Sequence, residues 1–294
     1  MDVRDTISGI MNLPKTEIGN ISEVKKGMTN QSFLFSCDGE EYILRIPGVG
    51  TSMLIDRKRE AAVYNVLKDS DICDHIIYFN KETGYKISRF YRNACVCNAG
   101  NDNDAKRCMI FLRNFHQRKY CVEHSFDLWE RINYYESLWT KQTIYEDYNS
   151  VKKRVLQLKK YVDMQKKESC LCHIDAVPDN FLLVENEIHL IDWEYAGMQD
   201  PHVDIAMFGI YSLYNRSQMD QLIDFYFEEE CSKELRIKIY CYIAICGLLW
   251  SNWCEYKRMC GVEFGEYAAK QYQYAKEYFD IVLSLIHISE PTRP

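Results

Sequence analysis

The chain has 294 residues, 47% hydrophobic and 27% charged, the profile of a globular protein with a substantial apolar core rather than a disordered one. A formal charge of -7 argues against nucleic acid as a partner, since a phosphate-backbone binder is basic, and it favours cationic ligands only mildly. The longest apolar run, residues 239–250, is shorter than the ~20 residues needed to cross a bilayer and reads as a buried helix, so no membrane partner is expected.

The elements follow in chain order. The N-terminal stretch carries Asp2, Arg4 and Asp5 and lacks the long apolar core of a signal sequence. Residues 21–25, 32–37 and 42–46 read as short strands between Gly, Asn and Asp punctuation, the last pair joined by the turn Asp38-Gly39. A helix follows over about 55–68, with apolar spacing at Ala61, Ala62, Val63, Val66 and Leu67. Two more strands are predicted at 75–80 and 86–90. Helical periodicity then covers 104–118, 128–148 and 150–167. Residues 170–194 are strand-rich, with a hairpin signature in the apolar runs 181–184 and 188–191. Helices resume near Asp204 and continue to Val282. The layout is α+β, with a small sheet-bearing region over 1–90 and a mostly helical region over 91–282. Residues 283–293 read LSLIHISEPTR, which resembles the translation of a common transposon-based sequencing adapter, so 283–294 are expected not to be native.

The thirteen cysteines are odd in number and scattered. Cys95/Cys97 and Cys170/Cys172 are spaced more tightly than a usual zinc knuckle. They read as reduced, mostly buried thiols of a cytoplasmic protein.

The sharpest motif is His173-Ile-Asp175-Ala-Val-Pro-Asp-Asn180, followed by the hairpin and then Ile-Asp192-Trp-Glu194. Phosphoryl transfer needs a carboxylate at the attacking hydroxyl and oxygen ligands for a metal on the phosphates. A short loop with Asp175 and Asn180 offers one base and one neutral ligand, and Asp192 arrives at the end of the next hairpin. Asp and Asn are also common turn residues; the full spacing is what gives the motif its weight.

This H-x-D-x-x-x-x-N plus D-x-E arrangement resembles the choline kinases and aminoglycoside kinases, and the best match is the bacterial choline kinase family. The resemblance runs from about Val24 to Tyr278. It implies a two-lobed protein-kinase-like fold, with ATP and Mg2+ as cofactors. Asp175 would be the catalytic base, and Asn180 and Asp192 the magnesium ligands. Lys26-Gly27-Met-Thr29-Asn30 resembles the family's phosphate loop. Arg45, in Tyr42-Ile-Leu-Arg45-Ile-Pro-Gly48, would be the phosphate-contacting cation and Glu60 its helix partner. Ser88 and Phe90, in Ser88-Arg-Phe90-Tyr91, would fall in the linker where backbone groups meet adenine. The run Tyr195-Ala-Gly-Met-Gln-Asp-Pro-His-Val-Asp204-Ile-Ala206 matches the family closely, with Asp204 capping its helix or bracing the catalytic loop.

The W-x-x-W of Trp250 and Trp253 and the F-G-x-x-Y ending at Tyr267 resemble the family's ammonium box. Residues three apart share a helix face, and aromatic faces attract quaternary ammonium, although Trp on a helix is more often core. By the same resemblance Glu194 and position 211 would belong to the substrate side. Position 211 departs from the family: Tyr211 stands where a glutamate helps to balance the cation. The implied substrate is a small cationic amine alcohol such as choline. Ethanolamine, thiamine or aminoglycoside phosphorylation on the same scaffold, or a catalytically silent nucleotide- or amine-binding protein, are the alternatives. The oligomeric state is not legible.

Overall fold

Asp38 and Gly39 both take positive φ, 51° and 80°, as a two-residue hairpin turn demands. They join β2 (Asn30–Cys37) to β3 (Glu40–Pro47) in unbroken antiparallel register from Asn30↔Pro47 to Cys37↔Glu40. This hairpin anchors the first of two compact units in the computed structural model, Met1–Val96 with Phe181–Tyr195; the second is Cys97–Asn180 with Ala196–Pro294. The structure describes residues 2–24, 30–166, 168–228 and 230–289. Gly27 and Thr29, expected to form a phosphate loop, lie outside these, while Asn30 opens β2.

In the first unit, β1 (Gly19–Glu23), β4 (Ile76–Phe79) and β5 (Lys86–Arg89) complete a five-stranded antiparallel sheet of order β1-β2-β3-β5-β4. Its inward-facing residues Phe35, Cys37, Leu44 and Ile87 are buried together with Ile7 and Ile18. Ile7 belongs to helix α1 (Val3–Met11), an element the sequence reading does not contain. Helix α2 (Arg57–Leu67) is capped by Asp56, whose carboxylate accepts the amides of Lys58 and Arg59. It buries Val63, Tyr64, Leu67 and also the charged Glu60.

The hairpin β8 (Phe181–Val184) and β9 (Glu187–Leu190) forms as predicted, with β6 (Cys95–Val96) added along β8. That pairing, with the bridge from Cys73 to Leu190, explains why the hairpin belongs to the first unit and why the unit extends to Val96 rather than ending at residue 90.

The second unit is helical: α3 (Asp102–Gln117), α4 (Leu128–Ser137), α5 (Tyr148–Met164), α6 (His202–Tyr211), α7 (Arg216–Phe227), α8 (Lys233–Met259) and α9 (Glu266–Ser289). A two-stranded piece, β7 (Cys170–Cys172) with β10 (Gly197–Gln199), lies within it. The helix predicted over 128–148 stops at Ser137. The indole of Trp139 donates to the Asn252 carbonyl, and the Ile144 amide donates to Glu255; anchoring that connection to α8 outweighs its helical periodicity. Helix α8 is buried from Ile237 to Lys257. It is apolar enough to pass for a membrane span by composition, and the whole of that window is covered by the rest of the protein. Helix α9 runs through Val282 without a break to Ser289.

All thirteen cysteines carry free thiols, most of them buried. His116, Cys170 and Cys172 place ligand-type atoms within 4.8 Å of one another. Both ring nitrogens of His116 are already engaged, by the Tyr226 hydroxyl at 2.8 Å and Asp204 at 2.9 Å.

Candidate active site

The first unit assembles a buried charge cluster. Strand β3 delivers Arg45, whose guanidinium donates to Glu60 on α2 and to Asp192 after β9, each at 2.5 Å. Arg57 donates to Glu60 at 2.7 Å and to Glu194 at 2.9 Å. Two guanidinium groups thus face three carboxylates, Glu60, Asp192 and Glu194, whose oxygens lie within 4.8 Å of one another. Burial alone would lower the pKa of Arg45, but Glu60, Asp192 and Glu194 more than offset it and hold the group firmly charged. Burial, reinforced by Asp192, raises the carboxyl of Glu194 above its ordinary range against the pull of Arg45 and Arg57.

This cluster fits a phosphate–metal assembly on two counts. Arg45 Nε and Arg57 Nη2 are buried donors with no hydrogen-bond partner among the described residues, and such donors suit an anion. The carboxylates outnumber the guanidinium groups, and Asp192 is the most accessible of the three, with its side chain 24% exposed against 0% and 1% for Glu60 and Glu194. Asp192 also has a φ of 67°, a strained backbone for a residue with a β-carbon.

Glu194, expected on the substrate side, lies within the arginine cluster. Its carboxylate accepts from Arg57 and from Asn30 Nδ2 at 3.1 Å, so it orders the arginine cluster in the first unit. Ser88 is buried in the sheet, paired with Ile43 on one side and Ile76 on the other. The Phe90 amide is donated to the Glu41 carbonyl at 2.9 Å and so is not open to a base.

In the second unit, Asp175 and Asn180 meet within one loop. Asn180 Nδ2 donates to the Asp175 carbonyl at 2.8 Å and to its carboxylate at 3.3 Å. The 3-10 turn Pro178–Asn180 closes the loop, with the Asn180 amide bonded to the Val177 carbonyl. Ile174, immediately before Asp175, has a φ of 69°, a genuine strain for a β-branched residue. Asp204, in the first turn of α6, offsets it by accepting the His173 and Ile174 amides at 2.9 and 2.7 Å. Pro201 occupies the N-cap position of α6, so of the two roles expected for Asp204 the structure has it bracing the loop.

The aromatic residues form a chain. Trp250 and Trp253 are edge-to-face at 5.5 Å, Phe264 lies 5.1 Å from Trp253, Tyr267 lies 6.3 Å from Phe264, and Tyr211 lies 5.7 Å from Tyr267. The two indoles are buried, and the Lys257 ammonium sits 5.8 Å from the Trp253 ring centroid. Tyr211 and Tyr267 are only half-buried. The Tyr211 hydroxyl donates to Asp179 at 3.2 Å.

Sequence reasoning did not single out Arg57, Asp179 or His116. Arg57 lies one helical turn before Glu60, a readable signal. Asp179 lies inside the loop motif beside Asn180. His116 carries no local signal, because its role depends on Asp204 and Tyr226, both distant in sequence.

A family model described as choline/ethanolamine kinase matches residues 21–215. Protein LicA of Haemophilus influenzae strain Rd is 26% identical over 259 residues, covering 83% of this chain and 96% of that protein. Among solved structures, choline kinase LicA from Streptococcus pneumoniae superposes with a TM-score of 0.83 at 28% identity, covering 95% of this chain and 98% of the other. A choline/ethanolamine kinase family protein from Mesorhizobium loti reaches 0.81 at 22% identity, covering 97% and 98%. Aminoglycoside phosphotransferase APH(4)-Ia shares the fold at 0.65. The chain is therefore a kinase with a protein-kinase-like fold, and it belongs to the choline/ethanolamine kinase family.

Proposed function

We propose that the protein transfers the γ-phosphate of ATP to the hydroxyl of choline or a closely related amino alcohol. The observation that carries this reading is the loop in which Asp175 and Asn180 are bonded together beside the half-buried tyrosines. The Tyr211 hydroxyl donates to Asp179 of the same loop at 3.2 Å, and the Tyr211 ring lies 5.7 Å from that of Tyr267. A carboxylate that accepts a proton and an aromatic surface that accepts a cation are thus near neighbours, as a short molecule bearing both a hydroxyl and an ammonium requires.

Asp175 orients the acceptor hydroxyl and takes its proton. Arg45 and Arg57 hold phosphate oxygens through their unpartnered donors, and Glu60 and Glu194 fix the two guanidinium groups. Asn180 and Asp192 are the residues assigned to magnesium, which when bound offsets the charge on the phosphates. The solved structure of LicA in complex with AMP, 28% identical to this chain, supports an adenine nucleotide as the donor.

The test is magnesium-dependent ATP turnover against choline, ethanolamine, thiamine and kanamycin, with Asp175→Asn alongside. Turnover of choline or ethanolamine, lost by about a thousandfold in the variant, is the expected result. Turnover of kanamycin or thiamine alone would reject the substrate class and retain the kinase. ATP binding without turnover of any of them would favour a silent binder.

A further inference from the structure

A cationic substrate needs a countercharge, and the acidic side chains that sequence position suggests for it are engaged elsewhere. Glu194 is held by Arg57. Glu255, two residues after Trp253, is clamped by Arg258 at 3.0 and 3.1 Å and accepts the Ile144 amide. The residue at 211 is a neutral phenol: burial, then the charges of Asp179 and Asp175, raise its pKa. Trp253 already has the Lys257 ammonium near its ring, which disfavours a second cation there.

Among the described residues, one carboxylate is bonded directly to the Tyr211 end of the aromatic chain. Asp179 is exposed, and among the described residues the group bonded to it is the Tyr211 hydroxyl, with no Lys, Arg or His in salt-bridge range. Tyr211 in turn is in edge contact with Tyr267. We propose that Asp179, tied to Tyr211, supplies the countercharge for the cationic nitrogen of the substrate, and that the nitrogen is received at the Tyr211–Tyr267 pair rather than between the two indoles. Tyr211 donates its one proton to Asp179 and so turns its ring toward the cation as a π surface whose negative character the bonded carboxylate strengthens. Asp179 acts in binding and selectivity, and Asp175 alone takes the proton. This assignment rests on the amino-alcohol kinase reading above.

The experiment compares each cationic substrate with its uncharged isostere: choline with 3,3-dimethyl-1-butanol, and ethanolamine with 1-propanol. Wild type, Asp179→Asn, Asp179→Glu and Tyr211→Phe are measured, with the KM ratio of isostere to cation as the readout. The expected result is a ratio well above one in wild type that falls by about fivefold in Asp179→Asn, the scale of one partly exposed ion pair. Asp179→Glu should recover part of the preference, and Tyr211→Phe should lose part of it. A merely structural role would weaken cation and isostere alike, so an unchanged ratio in Asp179→Asn overturns the proposal while leaving the kinase reading intact. If wild type turns over no amine, the kinase reading falls. Tetramethylammonium binding by calorimetry then decides the present point alone: equal affinity in wild type and Asp179→Asn, or no binding to either, overturns it, and weaker binding to the variant supports it.

Discussion

Ile174 holds a left-handed backbone, φ 69°, while its amide is donated to Asp204 at 2.7 Å. The two facts belong together. A β-branched residue at positive φ costs about 1–3 kcal/mol, and a carboxylate accepting two successive amides repays much of that. His116, which bridges Asp204 and Tyr226, orients the carboxylate from the other side.

Replacing Asp204 by Ala should therefore strand the buried amides of His173 and Ile174 and relax the loop that carries Asp175. The expected loss of stability is about 3 kcal/mol, read by denaturant unfolding. Asp204→Asn keeps one acceptor oxygen and should lose roughly half as much. In both variants kcat should fall further than the change in ATP affinity, because loop geometry is disturbed and the arginine cluster is not; equal effects on both would reject the bracing role.

Arg45 is a second point where one side chain serves several partners. Lysine has the charge but not the fork, so Arg45→Lys cannot reach Glu60 and Asp192 together. Steady-state kinetics should show the KM for ATP raised by about tenfold. Arg45→Met leaves Glu60, Asp192 and Glu194 sharing Arg57 alone and should cost about 3–5 kcal/mol in unfolding experiments. If Arg45→Met is as stable as wild type, the cluster is not the source of order that the geometry implies.

These relationships separate what the sequence could disclose from what it could not. The Asp38-Gly39 turn, the 181–190 hairpin and the loop from Asp175 to Asn180 depend on neighbours in the chain, so local chemistry announced them. The engagement of Glu194 by Arg57 joins positions 137 residues apart, and nothing in the D-x-E pattern says which way its second acid points. The same holds for Trp250 and Trp253: their spacing predicts a shared face, whereas the indoles are buried and the more accessible surface is that of Tyr211 and Tyr267. Helix α4 ends early because Trp139 and Ile144 bind α8, a tertiary fact invisible to periodicity. Helix α1 was missed because its one buried residue, Ile7, finds its partners in the sheet.

Gly247 tests the packing of the two longest helices. A β-carbon there would lie 2.7 Å from the Gln271 carbonyl and 3.0 Å from the Ala275 amide nitrogen, both backbone atoms of α9. Helix α9 cannot yield locally without losing its own hydrogen bonds, so Gly247→Ala should destabilise despite alanine's better helix propensity. We expect a cost of about 1–3 kcal/mol and a larger one for Gly247→Val. A thermal midpoint raised by Gly247→Ala would mean that α8 and α9 are less closely packed.

The last prediction concerns acid. Lys238 on α8 is fully buried and donates to Asp200 at 2.5 Å, with His202 Nδ1 2.6 Å from the other carboxylate oxygen. Burial alone would raise the pKa of Asp200; the hydrogen bond and charge of His202, with those of Lys238, outweigh it and leave the carboxyl below its ordinary value. For an acid whose pKa is lower folded than unfolded, the stabilisation is complete above the unfolded value, about 4, and is lost as pH falls through the folded one. Wild type and Asp200→Asn should thus differ most in thermal midpoint at pH 5–7, where the variant leaves the Lys238 ammonium buried without its carboxylate partner, bonded still to the Lys166 carbonyl, at a cost of about 3–5 kcal/mol. The difference should narrow below about pH 4 as Asp200 in the wild type takes up its proton. Adding Lys238→Met to Asp200→Asn should recover much of the neutral-pH loss, because the buried charge goes with it. A gap that stays constant from pH 7 to 3 would show that Asp200 acts through shape and not through its charge.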